Sequence, residues 1–112
     1  MELSDFGKVE WLVPWIHYTS TGFEEELRKE VNSKHPLYGR RAITVGRRED
    51  CDDVLFFFPD SPDPLAVVHL TWRMKTEPDP RWPHTTFYSS LDEWIQNRMK
   101  PDHQDYMADE EF

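Results

Sequence analysis

The stretch "VLFFFPDSPDPLAVVHLTW", residues 54–72, holds two strand-like segments joined by a short link, and it decides the fold. The first segment, "VLFFF", is apolar without alternation, which is typical of a central strand that is covered on both faces. The second, "LAVVHLTW", has two unequal faces, because alternate side chains of a strand point to opposite sides. His69 and Thr71 lie on its more polar face. The link "PDSPDP" is too short to hold a helix, so we expect the two strands to be antiparallel.

Further strand candidates lie on both sides of this pair. "RAITV" (41–45) precedes it, and "TTFYS" (85–89) follows as a candidate fourth strand. Both contain the β-branched and aromatic residues that a pleated surface accommodates well. The N-terminal "VEWLVPWIHY" (9–18) alternates like a strand but contains Pro14. It is therefore expected to form either an edge strand or an extended cover over the sheet.

Two amphipathic helices bracket the strands. "TGFEEELRKEV" (21–31) begins with Thr21 three residues before Glu24, the spacing of a capping box, and its early glutamates suit the positive end of a helix dipole. "SLDEWIQNRM" (90–99) repeats the pattern with Ser90 and Glu93. Pro101 is expected to end this second helix.

The order of these elements predicts the architecture. We expect an α+β fold with an antiparallel sheet of three to four strands and two flanking helices, in the order α-β-β-β-(β)-α, with both helices on one side of the sheet. Residues 1–100 are expected to form a single domain, and residues 101–112 an acidic C-terminal tail that is mobile or loosely docked.

Composition limits the classes of partner. The 112 residues carry a formal net charge of −9, which argues against nucleic acid as a ligand. No apolar run approaches the ~20 residues that cross a bilayer, so no membrane partner is expected. The single cysteine excludes an intrachain disulfide and favours a cytoplasmic setting. Seven basic residues and one acidic residue between Arg28 and Arg48 form a local exception, which either meets an anionic partner or balances the chain's own carboxylates.

Few residues suggest catalysis. The five histidines are scattered without metal-ligand spacing, so neither a metal site nor a cofactor is predicted. The acidic neighbours of Cys51 disfavour its thiolate, and no common nucleophile or phosphate-binding motif is present. What remains is a strand end followed by a charged, aromatic loop stiffened by three prolines. The candidate binding residues are His69, Thr71, Arg73, Glu77, Trp82 and His84, together with Arg47 and Arg48 from the basic segment.

Several short strings resemble those of a group of small bacterial proteins of unknown activity. They are "DDVLF" (52–56), "VVHLTW" (67–72), "WP" (82–83), "SLDEW" (90–94) and "RM" (98–99). The resemblance covers about residues 50–100. It implies a bacterial, cytoplasmic, single-domain protein and names no chemistry.

Two functions stay open at this point. The first is noncovalent binding of a protein partner or a small ligand, without covalent chemistry. The alternative is a small enzyme in which His69 is a general base oriented by Glu77 or Asp79. His69 itself is expected either to line a cleft or to be partly buried beneath Trp11 or Trp15. An enzyme should place His69 at the floor of a concave pocket with a carboxylate within hydrogen-bond reach, whereas a partner-binding module should present a flat or convex patch that contains Trp82 and neighbouring charges.

Overall fold

A computed structural model of the protein, which describes residues 1–110, contains one five-stranded antiparallel sheet with helices packed on it. The strands are β1 Trp15–His17, β2 Ile43–Arg48, β3 Asp53–Phe57, β4 Leu65–His69 and β5 His84–Tyr88, and they lie side by side in chain order. The predicted α+β class with an antiparallel sheet is confirmed, with one strand more than the three to four expected. The additional strand is β1, one of the two structures that the alternating N-terminal segment allowed.

The helices surround this sheet in a simple order. A 3-10 helix, Leu3–Lys8, precedes β1, and α1, Thr21–Glu30, connects β1 to β2. After β5 a continuous helical segment consists of α2 Leu91–Trp94, a wider π-helical stretch Ile95–Met99, and α3 Lys100–Glu110. None of the helices within residues 1–110 is both long enough and apolar enough to cross a bilayer.

Strand β3 is the centre of the sheet and of both cores. All five of its residues are buried: Val54, Leu55, Phe56 and Phe57 belong to the predicted apolar run, and Asp53 precedes that run. Leu55 and Phe57 point towards the face covered by α2 and the 3-10 helix, whereas Val54 and Phe56 point towards the face covered by α1. The expectation that both helices lie on one side is therefore wrong. A strand that is apolar on both faces needs a cover on each, and the two helices supply one cover each.

The two cores differ in their content. The first is rich in large rings, with Trp15 and Trp94 edge to face at 5.3 Å between ring centroids. Its buried members are Phe6, Trp15, Val45, Leu55, Phe57, Leu65, Val67, Tyr88, Trp94 and Met99. The second core, beneath α1, is more aliphatic. It consists of Leu27, Val31, Leu37, Val54, Phe56, Phe58, Ala66, Val68 and Leu70.

The helix starts follow the predicted capping chemistry with one shift. Ser90 caps α2, its hydroxyl accepting the Glu93 backbone N–H at 3.0 Å, as predicted. Helix α1 is capped by Ser20 rather than Thr21, through the Phe23 N–H at 3.3 Å. Glu24 is consequently free to accept the backbone N–H of Thr44 in β2 at 2.9 Å.

The C-terminal helix continues through Pro101, so the predicted helix end there is wrong. Proline lacks the N–H that an interior helical position would donate, but the preceding π turn, in which the Lys100 N–H bonds Ile95 O, places Pro101 in the first turn of α3. Asp102 and His103 attach this helix to the N-terminal segment: Trp15 Nε1 donates to Asp102 at 2.8 Å, and His103 Nδ1 lies 2.7 Å from Val13 O. Residues 111–112 of the predicted tail lie outside the described residues.

Candidate functional site

A cavity of about 530 Å³ lies where β4 ends and the following loop begins. Its lining contains five of the eight predicted candidates, namely His69, Thr71, Arg73, Glu77 and Trp82, and it is completed by Asp52, Leu70 and Asp79. The volume falls in the range of about 300–1,000 Å³ that is usual for ligand sites.

His69 is paired with a carboxylate that belongs to the neighbouring strand. The β3–β4 register places Asp53 directly opposite His69, and His69 Nδ1 lies 2.8 Å from Asp53 Oδ1. The other oxygen of Asp53 accepts from Arg98 Nη2 at 2.8 Å. An ionised Asp53 requires the proton on Nδ1, so a neutral His69 has its lone pair on Nε2. With Asp53 as its partner, His69 is not oriented by the predicted Glu77 or Asp79.

His69 is also more exposed than partial burial under a tryptophan would allow. Its side chain retains 48% of its accessible surface. Trp11 and Trp15 instead pack on Trp94, and Trp11 also stacks on His17 at 5.3 Å. His69 is therefore not a buried core residue.

The loop after β4 is held by two buried glutamates of α1. Glu30 accepts the backbone N–H of Thr71 at 2.9 Å through one carboxylate oxygen and that of Trp72 at 3.0 Å through the other. Glu26, one helical turn earlier, accepts the backbone N–H of Met74 at 3.2 Å. Trp72 and Met74 have φ values of 56° and 61°, a left-handed conformation that side chains other than glycine seldom adopt. The glutamates thus stabilise a backbone path that the loop would not favour alone.

Glu30 is itself perturbed by this environment. Burial, followed by the hydrogen bond with Glu26, raises the pKa of Glu30 to about 7, although the N–H groups of Thr71 and Trp72 act in the opposite direction. Both carboxyl groups are nearly inaccessible, at 3% for Glu26 and 0% for Glu30. A second buried carboxyl group beside Glu30 disfavours the charged form of Glu30.

The far end of the loop is fixed by contacts with the segment after α1. Asn32 Nδ2 donates to the carbonyl oxygens of Glu77 and Pro78 at 3.0 and 3.1 Å. The Leu37 N–H donates to His35 Nδ1, so His35 carries its proton on Nε2 and donates it to Pro83 O at 3.0 Å. Burial lowers the pKa of His35, which keeps this arrangement neutral.

Charged and aromatic side chains form the rim of the cavity. Trp82 is 45% exposed, and its ring lies 6.4 Å from that of His84, which does not line the cavity itself. Arg81 pairs with Asp79 at 2.6 Å, and this hydrogen-bonded arginine lowers the pKa of Asp79. Inside the rim, the Thr71 hydroxyl donates to Glu77 at 3.0 Å, and Arg73 lies 3.6 Å from the same oxygen.

The two remaining candidates, Arg47 and Arg48, lie outside the cavity. The Arg48 guanidinium pairs with Asp50 at 2.8 Å and lies 3.4 Å from Asp102. Arg47 is positioned over the rings of Tyr18 and Phe23, at 5.3 and 5.8 Å. The basic segment is thus divided among separate surfaces.

The site combines features of both expected functions. His69 lines a concave site 2.8 Å from the Asp53 carboxylate, as expected of an enzyme, whereas Trp82 is exposed among charges, as expected of a binding module, but at a cavity rather than on a flat or convex patch. Within residues 1–110, no group of three or more His, Cys, Asp or Glu side chains is arranged to hold a metal ion. Burial raises the pKa of the Cys51 thiol, which disfavours its nucleophilic form. Comparison of the chain with family models, with curated proteins and with solved structures finds no match.

The sequence contained signals for the residues that we did not select. Asp53 follows from the hairpin once Phe57 is paired with Leu65, since counting outward brings Asp53 opposite His69. Glu26 and Glu30 are spaced by four residues and lie beside Leu27 and Val31 on the buried face of α1. The helix dipole accounts for acidic residues early in α1 but not for Glu30, which is in its last turn.

Proposed function

We propose that this protein is a noncovalent binding module and that the cavity at the end of β4 is its contact surface for a protein partner. The observation that carries the proposal is the exposed Trp82 beside Arg73 and His69, on a loop fixed by buried carboxylates. Tryptophan and arginine dominate binding energy at interfaces, and a rigid loop loses little conformational freedom when it binds.

The charge of the whole chain favours a basic partner. A net charge of −9 attracts a cationic surface at long range and accelerates encounter. Asp52 and Asp79 line the cavity and would meet a Lys or Arg side chain that enters it. We further propose the bacterial cytoplasm as the place where this binding occurs, in keeping with the single cysteine.

The test uses two tryptophans of similar exposure. Trp82 is 45% exposed and lines the cavity, whereas Trp72 is 41% exposed and packs on Phe23 at 5.6 Å. A partner isolated on the immobilised protein is purified and titrated by calorimetry against the parent, Trp82→Ala and Trp72→Ala. We expect Trp82→Ala to weaken Kd by about 30-fold, as a hot-spot residue does, and Trp72→Ala by less than about threefold. Equal effects of the two changes would refute the proposed surface.

A second candidate function rests on the pair of His69 and Asp53. A histidine that lines a cavity, with its Nδ1 2.8 Å from a carboxylate, has the geometry of a general base. If this function operates, His69→Gln should abolish turnover of a substrate found by screening, and Asp53→Asn should reduce it by orienting the ring less well. If the parent turned over none of the screened substrates and His69→Gln still bound the protein partner, the binding module would be favoured.

A further inference from the structure

A second concave surface of the protein shares no lining residue with the cavity at the end of β4. It is a groove of about 440 Å³ between the C-terminal half of α1 and the segment 37–42. Its floor is apolar and consists of Leu27, Val31, Leu37 and Ala42. Tyr38, at 57% exposure, lies at its edge. Gly39, with φ of 76°, turns the chain there so that the Arg40 N–H bonds Leu37 O at 3.1 Å.

Three arginines surround this floor, and none of them has a carboxylate partner within the described chain. Arg28 and Arg41 make no ion pair there, and the guanidinium of Arg40 donates to the Ser61 hydroxyl at 2.7 Å. Of the other arginines, Arg48, Arg73, Arg81 and Arg98 are each paired with an Asp or Glu, and Arg47 lies over the rings of Tyr18 and Phe23. In a chain of net charge −9, three unneutralised guanidinium groups around one groove are unexpected unless they meet an anion from outside.

We propose that this groove is a binding site for a small amphipathic anion. The apolar chain or ring of the ligand covers Leu27, Val31 and Leu37, and its carboxylate or phosphate lies among the guanidinium groups, whose forked donors suit such oxygens. The volume is that of a small-ligand site. The head group is expected on the α1 side of Arg41, because Asp60 faces the hollow on the far side of Arg40 and Arg41. This site is independent of the cavity at the end of β4.

The experiment separates the apolar and the charged parts of the ligand. The ¹⁵N-labelled full chain is titrated with octanoate, with 1-octanol, which has the same tail and no charge, and with acetate, which has the same head and no tail. Octanoate should shift the amide signals of residues 27–31 and 37–42 and should bind at least about tenfold more tightly than the other two. Its affinity should fall as sodium chloride is raised from low to molar concentration.

Matched double variants identify the charges that matter. Arg28→Gln with Arg41→Gln removes two exposed charges at the groove, whereas Lys8→Gln with Lys75→Gln removes two exposed charges elsewhere. We expect the first pair to weaken octanoate binding by about tenfold and the second to leave it within about twofold. Tyr38→Ala should weaken binding without moving the urea midpoint, since this side chain is exposed.

Three results would overturn the proposal. Octanol that binds as tightly as octanoate would show an apolar surface without charge selection. Shifts spread over the whole protein would show nonspecific detergent-like binding. Binding of a Glu-rich peptide containing one leucine, at concentrations where octanoate shows none, would assign the groove to a protein partner instead.

Discussion

His69 and Asp53 are hydrogen-bonded to each other, but we expect them to contribute differently to the free energy of unfolding. His69 is half-exposed, whereas Asp53 is 8% exposed and bonds both His69 and Arg98. We expect His69→Ala to cost less than about 1 kcal/mol of unfolding free energy, and Asp53→Ala to cost about 2 kcal/mol because it leaves Arg98 without this partner. Urea melts of the two variants beside the parent provide the measurement. A cost above about 2 kcal/mol for His69→Ala would show that this residue maintains the fold and would remove it from both proposed functions.

The raised pKa of Glu30 predicts how stability depends on pH. The folded-state pKa of Glu30, about 7, lies above its ordinary value of 4.5, so the folded protein binds more protons than the unfolded chain between these values. Stability from this group is therefore complete below about pH 4.5 and is lost as pH rises through 7, by about 3 kcal/mol at most.

Glu26→Gln provides the test of this pH dependence. A glutamine at 26 donates an amide N–H to the Glu30 carboxylate and still accepts the Met74 N–H, so Glu30 can ionise with less cost. The difference in unfolding free energy between pH 5 and pH 8 should become smaller than in the parent. Glu25→Gln, an exposed change in the same helix, should leave that difference unaltered. Parallel curves for the parent and Glu26→Gln would show that Glu26 does not raise the pKa of Glu30.

At the scale of elements, hydrophobic pattern and turn chemistry identified most of the fold. The apolar run of β3, the turn before β4 and the Ser90 cap are local signals, and each agrees with the structure. The side on which a helix packs is not local, because it depends on which face of the sheet other elements leave uncovered. The predicted helix end at Pro101 was wrong because the π turn before it places Pro101 in the first turn of α3, where its missing N–H is not needed for a helical hydrogen bond.

The cavity was predictable only where its residues are close together in sequence. The five of its residues that were predicted lie between positions 69 and 82, at the end of β4 and in the loop that follows, so their closeness in sequence brings them together. Asp53, Glu26 and Glu30 reach the site from other elements, and they required the strand register and the placement of α1. Arg47 and Arg48 are adjacent in sequence but point to opposite faces of β2, which separates them.

The docking of α3 predicts that the C-terminal segment contributes to stability. Asp102 accepts hydrogen bonds from Trp15 Nε1 and from Arg98 Nε at 2.8 and 3.0 Å, and Trp15 is fully buried. Asp102→Ala should therefore cost about 2 kcal/mol, since it leaves the indole N–H without this acceptor. Asp105→Ala, an exposed change in the same helix, should cost less than about 0.5 kcal/mol. Thermal melts that lose equal stability for both would show that α3 is not anchored at Asp102.

At the scale of the whole molecule, one sheet separates two cores, and β3 contributes side chains to both. Loss of either helical cover would expose an apolar face of the same strand to water. The two cores are therefore expected to unfold together as one cooperative unit.

This cooperativity can be tested by a substitution in the second core, with the fluorescence of tryptophans in the first core as the measurement. Trp15 and Trp94 belong to the first core, whereas Phe56, which is fully buried, belongs to the second. Phe56→Leu should cost about 1–2 kcal/mol by leaving unfilled space beneath α1. The comparison is made with Trp72→Phe in both proteins, because Trp72 packs on Phe23 of α1 and would report on that helix. The urea midpoint of Phe56→Leu should then fall by the same amount when followed by tryptophan fluorescence and by far-ultraviolet circular dichroism. If the dichroism midpoint fell while the fluorescence midpoint stayed at the parent value, α1 would unfold separately, and the two cores would not share one transition through β3.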